Sequence, residues 1–320
     1  MSTSPVIAKK PKALRKGSRI AVISPSSPAQ DAECATGITE LQRIGYQVKA
    51  AQKQTPDSYF AAPSEQRLAQ LLAALASNDV DALIAMRGGY GANYLLTSTL
   101  CSQLSEPKCL IGFSDLTSLQ TYLWQCGGWV TNYGPMVAAG FNRGPNAPGG
   151  YDPESFSQAV SNTKSGWKIT LKGESLAKGS AQGRVVGGCL TLLQTTLATP
   201  WELDTTDSIL LLEDRGMKAY QVDRALMHLR QAGKFDAVKG IILGDFPDTP
   251  AAATVGAAKA VPTIREVSQR VFSPLGIPVV YGSPIGHTER PMLTIPLGVH
   301  AKLNASGEGL LEILEPAVVD

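Results

Sequence analysis

The chain has 320 residues, 43% of them hydrophobic and 18% charged, with a formal net charge of +2 at pH 7. That length supports a sizeable buried core without staples, and the near-balanced charge excludes the concentrated basic face that a nucleic-acid grip requires. No segment approaches the roughly 18 consecutive apolar residues of a membrane span, so no membrane contact is expected.

Residues 1–16 carry Lys9, Lys10, Lys12, Arg15 and Lys16 with no acidic residue among them. Prolines flank the charges, and the segment reads as a disordered basic arm. The next apolar stretch, 20–23, is too short for a leader and reads as a strand. A first unit spans 17–140. Strand 19–23 precedes a helix over 31–44 with Ile38, Leu41 and Ile44 on one side and Gly45 as its stop. A second strand is expected over 46–50. Residues 64–76 form a helix capped by Ser64, with Leu68, Leu71, Leu72 and Leu75 as its apolar face. Strand 82–86, a helix beginning at 92–96, strand 109–113 and helix 116–125 follow. This alternation predicts a parallel sheet with helices on both faces. Functional groups then gather at the carboxyl ends of its strands.

The segment 140–150 is rich in Gly, Pro and Asn, and a linker is expected over 141–182. Within it, 167–171 alternates like a strand. A C-terminal unit spans 183–320. It holds helix 190–197, strands 209–212, 240–244 and 279–281, helices 222–233 and 263–272, and a closing hairpin from 293–303 and 309–314. The two kinds of element do not alternate cleanly here, so the sheet is mixed.

Four segments carry chemistry. Cys109-Leu110-Ile111-Gly112-Phe113-Ser114-Asp115 reads as a buried strand turning sharply into a helix. Such an elbow exposes a serine hydroxyl as a nucleophile, although an N-cap has the same appearance. Arg87-Gly88-Gly89-Tyr90-Gly91 follows a strand. Its spacing fits neither phosphate-binding glycine motif. It reads better as half of an oxyanion hole, with one backbone N–H from Gly88 or Gly89 and the other from Asp115. Arg87 is either a substrate contact or a structural ion-pair partner, and Tyr90 is a candidate substrate contact. Glu213 and Asp214 directly follow Leu210-Leu211-Leu212, and only one of them can face a site because strand side chains alternate. His287 sits in a loop stiffened by Gly282, Pro284, Gly286 and Pro291. An imidazole titrates near neutrality and suits a general base. His228 falls inside a helix and His300 in an alternating strand, and both read as structural or surface groups.

Together these segments resemble the serine LD-carboxypeptidases, a family that also includes microcin C immunity hydrolases. The resemblance runs from about Gly17 to about Pro316. It implies Ser114 as nucleophile, Glu213 rather than Asp214 as the acid, and His287 as the base. It also implies a second, smaller domain with a barrel-like sheet and a homodimer. The expected reaction releases terminal D-Ala from a muropeptide tetrapeptide, with no metal or organic cofactor. An immunity-type hydrolase of an aminoacyl-nucleotide toxin is the alternative. A non-catalytic peptide or nucleotide binder is the alternative of another class, and the intact Ser/Glu/His set counts against it. Two positions depart from the family pattern. Tyr133 stands where relatives commonly carry histidine, and Cys189 where they often carry asparagine, so both are expected to line the substrate cleft. The five cysteines, Cys34, Cys101, Cys109, Cys126 and Cys189, lack the close spacing of a metal knuckle and read as reduced thiols of a cytoplasmic protein.

Overall fold

A computed structural model describes residues 6–49, 55–104, 106–247 and 261–320. The first half contains β1 (Arg19–Ile23), α1 (Asp31–Arg43), β2 (Gln47–Lys49), α2 (Ser64–Ala76), β3 (Ala82–Ala85), α3 (Ser98–Ser102), β4 (Cys109–Gly112), α4 (Leu116–Gly127) and β5 (Thr131–Tyr133). The strands pair in parallel in the order β5-β4-β3-β1-β2. Their alternating side chains explain the layering. Ala21, Ile23, Leu83, Ala85 and Leu110 face Leu71 and Leu75 of α2 and Leu116, Leu119 and Leu123 of α4. The intervening Ile20, Val22, Ala82, Ile84, Cys109 and Ile111 face Leu41 of α1 and the aromatics Phe141, Tyr151 and Phe156. Both faces are therefore covered, as a run of parallel strands joined by crossover helices requires. Each Leu or Ile removed from water in this way contributes about 1.5–3 kcal/mol of transfer free energy.

The second half contains α5 (Pro153–Ser161), β6 (Trp167–Thr170), β7 (Glu174–Ala177), β8 (Gly179–Cys189), α6 (Leu190–Thr195), β9 (Ser208–Glu213), α7 (Ala219–Gln231), β10 (Gly240–Gly244), α8 (Ile264–Phe272), β11 (Val279–Ser283), β12 (Ile295–Leu297), β13 (His300–Ala305) and β14 (Leu310–Ile313). Eight strands form one mixed sheet in the order β6-β14-β13-β8-β9-β10-β11-β7. Its centre, β8 to β11, is parallel, with α6, α7 and α8 as the crossovers. The outer strands are antiparallel. One face packs on the crossover helices through Leu210, Leu212, Ile241 and Leu243. The other face, with Ile209, Leu211, Ile242 and Val280, joins the core of the first sheet. The catalytic candidates therefore lie between two sheets, each with a parallel centre, that share one apolar core.

Several expectations change. Residues 6–16 are not a free arm, and residues 1–5 lie outside the described residues. Lys9 donates its backbone N–H to Gly128 and accepts from Val130, at 2.7 and 2.9 Å. Ala13 and Pro11 exchange backbone bonds with Val319, and Leu14 is buried. The backbone docks while Lys9 and Lys12 stay exposed and Pro11 and Leu14 are buried. Lys10 also reaches Glu315 at 2.9 Å. The expected linker 141–182 carries α5, β6 and β7, whose two strands form the edges of the second sheet. The helix expected from 92 is a single 3-10 turn, Ala92–Leu95, followed by α3. The hairpin is β13 and β14 alone. β12 instead crosses to the first sheet and pairs antiparallel with β5, Ile295 opposite Tyr133. Position 50 of the expected second strand lies outside the described residues.

Candidate active site

Ser114 stands between β4 and α4 with φ +63°, a left-handed conformation that serine rarely adopts. A residue held there stores strain of order 1–3 kcal/mol, and such positions cluster at functional sites. The turn is tight enough that a Cβ on Gly88 would lie 2.8 Å from Ser114 Cβ and 3.0 Å from its Oγ. Gly88 is thus the glycine pressed against the serine. Gly89, with φ +109°, turns toward Ser27 instead. Among the described residues, the backbone N–H groups of Gly88, Gly89 and Asp115 donate to no other group of the chain.

This loop is clamped from below. The buried Asp115 carboxylate accepts from Ser26 Oγ at 2.6 Å and from the Ala92 backbone N–H at 2.8 Å. Burial pushes its pKa upward against the lowering effect of those bonds and of Arg67. Arg67, 1% exposed on α2, donates to the carbonyls of Ala62 and Gly91 at 2.8 Å each and to that of Pro25. Its guanidinium also lies 4.7 Å from the centre of the Phe60 ring. Sequence reading missed Arg67. Its partners are backbone carbonyls of separate loops, which leave no local pattern.

Glu213 ends β9 and is fully buried. Its Oε2 accepts from both the backbone N–H and the ring Nδ1 of His287, each at 2.9 Å. A carboxylate only accepts, so Nδ1 carries the proton and the neutral ring leaves Nε2 as a proton acceptor. Two glycines make room for the acid. A Cβ on Gly244 would lie 2.6 Å from Glu213 Cβ, and one on Gly286 would overlap the carboxyl carbon. The neighbouring Asp214 points away, as strand alternation requires. It accepts from the backbone N–H and hydroxyl of Thr191 at 2.8 and 2.6 Å, at the start of α6.

The two halves meet directly. His287 packs edge-on against Phe113, the residue before Ser114, with ring centres 5.1 Å apart. Tyr133 Oη donates to Glu213 Oε1 at 2.5 Å and accepts from the Ser114 backbone N–H at 3.2 Å. The start of α4 is tied to β8 by the Cys189 N–H, which donates to Thr117 Oγ1 at 3.0 Å. A cleft of about 270 Å³ opens beside His287, lined also by Phe113, Arg143, Arg215 and Met292. The two arginines were not singled out in the sequence. Arg215 had a signal, since it follows Glu213 and Asp214 off the same strand.

The four candidate substrate contacts divide. Arg87 is exposed and donates to the Pro28 carbonyl at 3.2 Å, without a carboxylate partner in that bond. Tyr90 is 41% exposed and stacks on Phe60 within a cluster that includes Tyr59 and Tyr94. Tyr133 and Cys189 do not line the cleft. Tyr133 is fully buried between Ser114 and Glu213, and Cys189 is 3% exposed where β8 meets α4. Burial pushes the Cys189 thiol well up, with Glu213 and Asp214 adding to it. Departures from a family pattern mark a changed neighbourhood, and here that neighbourhood is interior. His228 bonds to Gln194 and His300 is exposed on β13, both away from these groups.

An α/β chain with two mostly parallel-centred sheets meeting at a serine elbow and a glutamate-held histidine has the build of a hydrolase. The profile of the LD-carboxypeptidase N-terminal domain matches residues 20–134, and that of the LD-carboxypeptidase C-terminal domain matches 182–303. The chain belongs to the LD-carboxypeptidase family. It is 32% identical over 300 residues to a probable murein peptide carboxypeptidase of Bacillus subtilis (strain 168), covering 93% of this chain and 92% of that protein. The crystal structure of a muramoyltetrapeptide carboxypeptidase from Oxalobacter formigenes superposes with a TM-score of 0.80 at 28% identity, covering 92% of this chain and 98% of that one. The microcin C7 self-immunity protein MccF, in complex with glutamyl sulfamoyl guanosine, shares the fold with a TM-score of 0.85 at 24% identity, over 98% of this chain and 100% of the other.

Proposed function

We propose that the protein is a serine carboxypeptidase that cleaves the L,D-amide bond of a muropeptide tetrapeptide and releases terminal D-Ala. The observation that carries this reading is the double grip of Glu213 Oε2 on the His287 backbone and ring, at 2.9 Å each, opposite the strained Ser114 elbow. Ser114 Oγ attacks the amide carbonyl while His287 Nε2 takes its proton, and Glu213 stabilises the imidazolium. The oxyanion is held by the Asp115 N–H and an N–H of the Gly88–Gly89 turn. Collapse of the intermediate breaks the C–N bond. His287 returns the proton to the departing D-Ala amine, leaving an acyl-serine. Water, deprotonated by the same histidine, then hydrolyses the ester. No group beyond the chain, the substrate and water enters these steps.

Arg143 and Arg215 line the cleft together with Glu289, and the two guanidinium groups are suited to the carboxylate of the departing residue. The five cysteines form no disulfide, which fits work in the reducing cytoplasm on recycled cell-wall fragments. The family resemblance adds a homodimer. The test is turnover of a purified tetrapeptide stem beside turnover of an aminoacyl-sulfamoyl adenosine. Release of D-Ala that disappears in Ser114→Ala supports the proposal. Turnover of the sulfamoyl adenosine alone reassigns the substrate, and an active Ser114→Ala enzyme sinks the mechanism.

A further inference from the structure

We infer that Tyr133 is a positioning residue for the reaction, acting through its hydroxyl on both the acid and the backbone of the nucleophile. The inference rests on the triad proposed above. The Tyr133 hydroxyl has one proton, and it goes to Glu213 Oε1 at 2.5 Å. Its oxygen accepts the Ser114 N–H at 3.2 Å. One rigid side chain thus spans the two sheets, from the end of β5 to the end of β9.

Three consequences follow from chemistry. Glu213 has two oxygens and one histidine to hold. With Oε1 occupied by the tyrosine, the carboxylate cannot rotate away, and Oε2 stays aimed at His287. Next, the elbow's φ of +63° at Ser114 is a conformation that the surrounding structure must hold in place. The bond from Ser114 N–H to the phenol oxygen fastens that peptide plane. It also commits the Ser114 N–H, so the oxyanion is left to the neighbouring Asp115 and Gly88–Gly89 amides. Last, burial, reinforced by the Glu213 charge, pushes the Tyr133 hydroxyl well above its ordinary range. It remains a protonated donor throughout the working range.

A competing view is that Tyr133 only fills space. The ring is a core member and lies edge-on to Phe113, with centres 6.3 Å apart. Tyr133→Phe keeps that ring and deletes only the hydroxyl. The ring-filling view then predicts normal chemistry in a folded variant. The positioning view predicts that both sides of the triad loosen. Glu213 also loses one compensating donor, so more of its charge falls on His287, and the imidazolium is favoured.

The experiment measures fluorophosphonate labelling of Ser114, and turnover of the tetrapeptide, as functions of pH in wild type and Tyr133→Phe. The expected result is a fall in kcat of roughly 10- to 100-fold, with KM within about twofold and the acid limb moved to higher pH. A second variant guards against misfolding. Site-specific 3-fluorotyrosine at 133 keeps the shape and strengthens the donor, and it moves the acid limb to lower pH. In a Glu213→Gln background, Tyr133→Phe adds little further loss, because the two act as a unit. Unchanged limbs in both variants, or a loss that simply adds to that of Glu213→Gln, overturn the inference. A wild-type enzyme that fails to label at Ser114 overturns the triad itself, and this inference with it.

Discussion

The serine side and the histidine side of the site are built by opposite means. On the serine side the backbone is bent into a left-handed conformation and held by buried polar clamps. Asp115 fastens Ser26 and Ala92, and Arg67 fastens three loop carbonyls. On the histidine side nothing is forced. Space is cleared by Gly244 and Gly286, and the carboxylate of Glu213 settles into it with its bonds satisfied. The difference teaches where each side is vulnerable. The serine side should fail through loss of charge or hydrogen bonds below the loop, and the histidine side through added volume.

The largest effect tests whether the two sides form one machine. Ser114→Ala and His287→Ala should each lower kcat by roughly 10⁴- to 10⁶-fold, and the double variant should lose little more. Multiplicative losses would split the site into two independent halves. Next comes volume. Gly286→Ala places a methyl on the Glu213 carboxyl at a residue with φ +68°. Turnover should drop by roughly 100-fold or more through misplacement of the acid, and the unfolding temperature should drop too. An active, stable Gly286→Ala protein would refute the cleared-space account.

Charge below the loop comes third. The folded-state pKa of Asp115 is raised, first by desolvation. Its ionised form is therefore disfavoured in the fold, and stability is lost as pH rises from the ordinary Asp range, near 3.9, through the raised value. Asp115→Asn removes that loss. Its stability relative to wild type should improve from pH 4 to pH 7, whatever the absolute cost of the altered clamp. Denaturation midpoints at several pH values would show it, and a constant difference would mean the carboxyl does not titrate with folding. The smallest effect concerns strain. Ser114→Gly should be more stable than Ser114→Ala by about 0.5–1 kcal/mol, because glycine accepts the left-handed backbone and alanine does not. Equal unfolding temperatures would mean the elbow is unstrained.

On both sides the sequence made the reactive candidates more legible than the residues that hold them. Ser114, Glu213 and His287 each follow a short apolar run or sit in a Gly/Pro-rich loop, and the local pattern points at them. The strands β1, β3, β4, β9 and β10 read clearly because they are nearly continuous apolar runs buried on both faces. β8 was not recognised as a strand. Gly179, Gly183, Gly187 and Gly188 interrupt it, and the close approach of Asp207, Leu211 and Thr117 is what demands most of them. Arg67 stayed hidden because a charged residue on a helix reads as solvent-facing. Tyr133 and Cys189 were expected at the cleft but are buried, since exposure cannot be inferred from identity when a polar group packs against a buried carboxylate.

The pairing of β12 with β5 has a consequence for how the protein is made. The edge of the first sheet next to the serine elbow is completed by residues 295–297, opposite 131–133. Residue 319 likewise seals the segment around residue 11. On a ribosome moving at about 5–20 residues per second, the nascent sheet waits on the order of ten seconds with that edge unpaired. Unpaired strand edges invite association with other chains. Truncation before residue 297 should therefore yield an aggregating fragment rather than a working half-enzyme.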